Sequence, residues 1–226
     1  MKVLVACEES QAVCKAFRAR GHEAYSCDII ECSGGHPEWH IQGDVLKILN
    51  PIKHPVIDDR TTIKGIEFKT CDGKNHFVYD RWDMILAFPP CTHLCNAGQR
   101  WFVEGKKPMK LQREAISFFY KFVMADCEKI VIENPMGIMQ TCYRSADQII
   151  NPYNFGEPYA KKTCLGLKGV SPLKVEFTEK PENCKSYAWN TTDDSGRYLG
   201  WSTPEIKKQR SKTFPGIARA MAEQWG

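Results

Sequence analysis

Four short apolar runs, each closed by acids or a cysteine, constrain this chain more than any other feature. Lys2 to Ala6 runs into Cys7-Glu8-Glu9-Ser10, and Glu23 to Cys27 stops at Asp28. Asp83 to Phe88 ends in Pro89-Pro90-Cys91, and Lys129 to Ile132 ends in Glu133-Asn134-Pro135. Runs this short and this rich in valine and isoleucine read as strands buried on both faces. Between the first two, Ala12, Val13, Ala16 and Phe17 repeat at helical spacing within Ser10 to Arg20, and Gly21 closes the helix. Ile41 to Val45 reads as a third strand, with Asp44 at its end. Strand, helix, strand with polar groups at the strand ends is the rhythm of an α/β fold, a Rossmann-like, doubly wound, mainly parallel sheet.

Residues 51–81 break that rhythm. They are polar, and Cys71-Asp-Gly-Lys74 is a turn signal between Gly65–Lys69 and His76–Tyr79, so a β-hairpin insertion is expected. Leu111 to Met124 then reads as a long helix, Thr163 to Leu167 as a late strand and Pro215 to Gln224 as a terminal helix. Residues 178–210 are polar and turn-rich, a small recognition-like lobe on what is otherwise a single domain over 1–226. At 226 residues one α/β domain can bury a real core.

Composition narrows the class of function. No stretch approaches the roughly 20 apolar residues of a membrane span, and the first apolar run is too short for a signal peptide. Eleven cysteines, an odd number without a signal peptide, suggest reduced thiols in a cytosol. A net charge of +4 permits a polyanionic partner without demanding one. The cations cluster, in Gln99-Arg-Trp-Phe102, Gly105-Lys-Lys-Pro-Met-Lys110 and Ile206-Lys-Lys-Gln-Arg-Ser-Lys212. Basic residues beside Trp and Phe suit phosphates with nearby bases; a solvated lysine face is the plainer reading.

In open parallel sheets, ligands sit outside the carboxyl ends of the strands. A carboxylate after the second strand can hold a ribose diol, and one after the third can accept an adenine amino group. Asp28 and Asp44 are therefore candidates for an adenosine-bearing cofactor, although acids in such places also cap helices. Two prolines stiffen the backbone before Cys91, whose thiol can be nucleophile, metal ligand or core.

Together these residues resemble the DNA cytosine-C5 methyltransferases. Pro90-Cys91 is similar to that family's nucleophile motif, and Glu133-Asn134 to its Glu-Asn-Val motif, with Pro135 departing at the third position. Gly43-Asp44-Val45 is similar to the Gly-Asp-Ile motif, and Asp28 falls where the ribose-binding acid is expected. Phe155-Gly-Glu-Pro158 and Phe214 to Glu223 resemble two later motifs, and the compact form resembles phage and prophage members. The resemblance implies S-adenosylmethionine held by Asp28, Ile29, Asp44 and Val45, the turn Cys7-Glu8-Glu9-Ser10, and Pro89-Pro90. It implies Cys91 as nucleophile toward carbon 6 of a flipped cytosine in DNA, Glu133 as its acid partner and Asn134 as an orienting residue. Trp101 or Phe102 would support the flipped base.

The departures are specific. The family's glycine-rich first motif is replaced by Ala6-Cys-Glu-Glu-Ser10. Its two arginines after the Gly-x-Pro motif fall on Lys161 and Thr163, leaving Lys161 or Lys162 to supply the charge without a two-pronged contact. The polar lobe is short for a target-recognition domain. Three other readings use the same residues. Phe88-Pro-Pro-Cys91 partly matches the loop of amino-methyltransferases acting on DNA. Cys91, His93 and Cys95 lie within five residues, without the paired spacings of a convincing zinc site, and no metal is expected. A methyltransferase-like fold can also bind nucleic acid or a nucleotide without turnover.

Overall fold

The computed structural model describes residues 1–55, 62–187 and 210–226, together with positions 195 and 203. A seven-stranded sheet organises it. Its strands are β1 (Lys2–Ala6), β2 (Glu23–Asp28), β3 (His40–Gln42), β7 (Met84–Ala87), β8 (Lys129–Pro135), β9 (Gln148–Ile150) and β11 (Thr163–Lys168), in the spatial order β3-β2-β1-β7-β8-β11-β9. The run from β3 to β8 is parallel, and β11 lies antiparallel between β8 and β9. This is the Rossmann-like, doubly wound, mainly parallel sheet that the strand rhythm implied.

The pleat explains why the runs are apolar throughout. Val3, Val5, Met84, Leu86 and Val131 face one side, under α1 (Ala12–Ala19) and α5 (Pro215–Trp225), where Phe17, Ile217 and Met221 are buried with them. Leu4, Ala6, Ile85, Ala87, Ile130 and Ile132 face the other, against Phe119 and Phe122 of α3 (Met109–Val123). Successive side chains alternate, so a strand covered on both faces must be apolar at every position.

The insertion covers part of that second face. It is a three-stranded antiparallel sheet of β4 (Ile52–Pro55), β5 (Thr62–Lys69) and β6 (Asn75–Tyr79), one strand more than a hairpin. The β5–β6 turn falls at Cys71-Asp-Gly-Lys74, where Gly73 takes a φ of 90°. Ile66, Phe68 and Val78 join Tyr25 and Trp82 in the core. Two-residue strands β10 (Tyr159–Ala160) and β12 (Lys185–Ser186) pair beside the main sheet. The polar lobe expected over 178–210 lies largely outside the described residues.

Several boundaries differ from the sequence reading for local reasons. The third strand stops at Gln42, and Asp44 instead caps a 3-10 turn over Val45–Lys47 by accepting the Leu46 amide at 3.0 Å. β8 runs on through Glu133 and Asn134 because antiparallel β11 pairs with them, Leu165 opposite Glu133 and Cys164 opposite Asn134. Helix α2 (Asn96–Val103) has no apolar periodicity to announce it, since Phe102 is its one buried side chain.

Candidate active site

From β1 the chain passes through α1 to β2 on one side, while β7 lies on the other, so the winding direction reverses between β1 and β7. A crevice opens outside the carboxyl ends of the strands at such a point. The loops 7–11 and 88–95 border it, and the Phe88 amide still bonds the Ala6 carbonyl at 2.9 Å.

The first loop bears on the missing glycines. Cys7 and Gln11 have φ of 61° and 58°, the left-handed region that glycine occupies most cheaply. The turn thus takes glycine-like geometry with side chains present. Gln11 is buried and holds it, donating to the His36 carbonyl at 2.9 Å and accepting the His36 amide at 3.0 Å. Glu8 turns inward, its carboxylate accepting the amides of Val13 at 2.6 Å and Cys14 at 3.2 Å at the start of α1. Burial pushes its pKa up to about 7 against those two bonds. Glu9 is buried as well, and Ser10 is half-buried.

Three strand ends converge beside this turn. Burial raises the Cys7 thiol pKa, and the charges of Asp28 and Asp44 raise it further, so the cysteine and both acids share one neighbourhood. Asp28 accepts the Ile30 amide at 3.2 Å, and burial raises its own pKa. Ile29 beside it is 75% exposed, an apolar side chain next to a carboxylate. Asp44 is exposed and Val45 buried.

The second loop carries the thiol. Pro89 is buried, Pro90 and Cys91 are exposed, and the amides of Leu94 and Cys95 both bond the Cys91 carbonyl, at 3.0 and 3.1 Å. The next strand-end loop is tied to it. The Asn96 amide bonds the Met136 carbonyl at 3.0 Å, and the Ile138 amide bonds the Leu94 carbonyl at 2.9 Å. Gly137 passes so close to the Leu94 carbonyl that a Cβ has no room there. Behind the loop, buried Gln112 of α3 donates to the His93 carbonyl at 3.3 Å.

These braces bring Cys91 and Glu133 into one electrostatic environment. Cys91 is exposed, yet desolvation by surrounding protein is the largest cause of its raised pKa; Glu133 raises it further and Lys161 opposes. The Glu133 pKa is also raised by burial and opposed by Lys161. Lys161 donates to the Arg210 carbonyl at 3.0 Å, whereas Lys162 is exposed. Thr163 is buried and donates to the Lys161 carbonyl at 3.2 Å. Asn134 is 5% exposed, and its Oδ1 accepts no hydrogen bond from the described residues.

Comparison with known proteins adds a likeness to solved structures alone. No family model matches the chain, and no curated protein matches it. Among solved structures it is similar to one from E. coli, provisionally described as a DNA modification methyltransferase encoded within a prophage. Identity is 14%, with a TM-score of 0.43, over 86% of this chain and 56% of that one. The chain thus spans just over half the length of that structure.

The two late motifs meet in space. Glu157 accepts the Gly216 amide at 2.6 Å, at the start of α5, and the rings of Tyr159, Tyr187 and Phe214 pack with centroids 4.7 to 5.7 Å apart. Phe102 is buried and belongs to the packing; Trp101 is half-buried, with the Arg100 guanidinium 4.4 Å from its ring centre. Among the described residues no three His, Cys, Asp or Glu side chains gather as a metal ion would need, including Cys91, His93 and Cys95. Sequence reasoning missed Gln11, Gly137 and Gln112. Each acts through a neighbour distant in the chain, and only the glycine carried a signal, standing two residues after a proline at a strand end.

Proposed function

We propose that this protein transfers a methyl group from S-adenosylmethionine to carbon 5 of cytosine in DNA through a covalent adduct on Cys91. One observation carries the reading. A thiol and a carboxyl group stand at adjacent strand ends, on loops bound to each other, under the influence of one lysine.

The residues at the switch point suit the cofactor. Asp28 and exposed Ile29 offer a carboxylate for a ribose diol and an apolar face for adenine, Asp44 with Val45 borders the adenine edge, and the turn from Cys7 to Ser10 with Pro89 and Pro90 encloses the methionine end. When bound, S-adenosylmethionine supplies the methyl electrophile.

The chain's own groups prepare the base. The Cys91 sulfur bonds carbon 6 of cytosine, and the electrons of the 5,6 double bond shift toward carbon 5 and the ring. Glu133 in its acid form donates to ring nitrogen 3 and neutralises the charge that develops there. Its raised pKa favours that acid form, and a neutral Glu133 removes one of the two charges that disfavour the Cys91 thiolate. Lys161 steadies whichever group is ionised. After methylation, loss of the carbon 5 proton and departure of the sulfur restore the double bond.

The test is covalent trapping. Wild-type protein and Cys91→Ser are incubated with S-adenosylmethionine and DNA containing 5-fluorocytosine, which lacks the proton whose loss releases the enzyme. A denaturation-resistant adduct on Cys91 in the wild type alone is expected by mass spectrometry. No adduct from protein that binds the cofactor overturns the C5 reading.

A further inference from the structure

The corner between α2 and α3, residues 100–113, carries an unusual mixture. Val103 is 80% exposed, Met109 47% and Leu111 37%, three apolar side chains left in water within nine residues. Five cations accompany them, Arg100, Lys106, Lys107, Lys110 and Arg113. Glu104 pairs with Lys106 at 2.7 Å and Glu114 with Lys110 at 3.7 Å. No carboxylate among the described residues pairs with Arg100, Lys107 or Arg113.

The corner is built to hold its shape. Gly105, at φ 68°, stops α2 in the left-handed conformation that suits a helix end, and Pro108 opens α3. The Lys107 amide bonds the Trp101 carbonyl at 2.9 Å, and Arg100 and Lys106 both lie over the Trp101 ring. Val103 is therefore displayed on a fixed platform. That platform begins at Asn96, whose amide is bound to the loop after Glu133. At about 1.5 Å per residue, eight-residue α2 sets Val103 about 12 Å along its axis from the loop that bears Cys91.

We infer that this corner engages duplex DNA, with Val103 entering the base stack as a wedge while Arg100, Lys107 and Arg113 take the flanking phosphates. An isolated surface valine needs no explanation, but one in a segment with two more exposed apolar side chains and three cations that no carboxylate among the described residues pairs matches a partner with charged edges and an apolar interior. Apolar wedges between base steps serve to open a stack, which costs a few kcal/mol in paired DNA and little in a strand already open. The wedge gives the C5 reading a double-stranded substrate and rests on that reading for its purpose, not for its test.

The test measures binding and needs no methyl transfer. Fluorescence anisotropy compares a 30-base-pair duplex, the same duplex with one abasic site, and its single strand. A wedge fills the abasic gap without opening a pair, so wild-type protein should prefer the abasic duplex to the paired one by about tenfold, and should prefer either to the single strand. Val103→Ala should lose that preference, and Val103→Met should keep it, with unchanged thermal melting for both. Equal affinity for the two duplexes, or a preference that survives Val103→Ala, overturns the wedge. Tighter binding of the single strand overturns the duplex assignment. A preference that depends on Val103, seen in protein that forms no 5-fluorocytosine adduct, leaves the wedge standing and removes the C5 reading.

Discussion

Glu8 shows how one residue can be legible in type and misleading in role. An acid at the end of the first strand suggests a ligand contact, but both its oxygens serve the amides that open α1. Its folded pKa is about 7, against an ordinary 4.5, so between those values the folded state holds a proton that the unfolded chain has released. Stability from this group is therefore fully present below about pH 4.5 and falls as pH rises toward 7, by up to roughly 3 kcal/mol. Urea unfolding of wild type and Glu8→Gln at pH 5 and pH 8 should show the variant gaining relative to wild type at the higher pH. A constant difference at the two pH values would mean that the carboxyl does not titrate in this window. Cys91 is a simpler case, since it follows β7 on the loop that its two prolines announced, whereas Glu133 lies within β8, which pairing with β11 carries on to Pro135.

At the scale of elements, legibility followed burial. β1, β2, β7 and β8 are covered on both faces and read directly as apolar runs. α2 contributes one buried side chain and left no pattern, although it joins the thiol loop to the cationic corner. That corner makes its own prediction. If Arg100 and Lys107 contact phosphates, Arg100→Gln with Lys107→Gln should lower the slope of log affinity for duplex DNA against log salt by about 1.8, at about 0.9 per phosphate contact. Anisotropy titrations between 50 and 200 mM salt, chosen to span roughly the range over which such contacts weaken, measure it. An unaltered slope would place the phosphates elsewhere. The β11 strand illustrates the opposite limit. Its antiparallel pairing extends β8 through Glu133 and Asn134, which no local pattern in that segment encodes.

For the whole molecule, the proposed cofactor site draws on three strand ends at once, so ligand binding there should stabilise the fold globally. S-adenosylmethionine at 100 times its dissociation constant adds about 2.7 kcal/mol, which for a chain of this size raises the melting temperature by about 5–10 °C. Asp28→Ala should lose most of that rise in differential scanning fluorimetry while melting near the wild type without ligand. A full shift in the variant would remove Asp28 from the cofactor site. No helix among the described residues is long and apolar enough to cross a membrane.

The sequence by itself determined the parallel core strands β1, β2, β7 and β8, because burial on both faces demands apolar runs. It also determined that Cys91 would stand on a stiff loop, since two prolines restrict any backbone they enter. Tertiary structure alone decided the rest. The glycine-free turn at Cys7 and Gln11 is held in its left-handed geometry by a loop 25 residues away, through Gln11 and His36. The pairing of the Cys91 and Glu133 loops depends on Gly137 meeting the Leu94 carbonyl. Lys161 acts on both groups while exposed Lys162 does not figure at either. Periodicity reports which side of an element faces the core; it carries nothing about which loops touch, because those contacts join residues far apart in the chain.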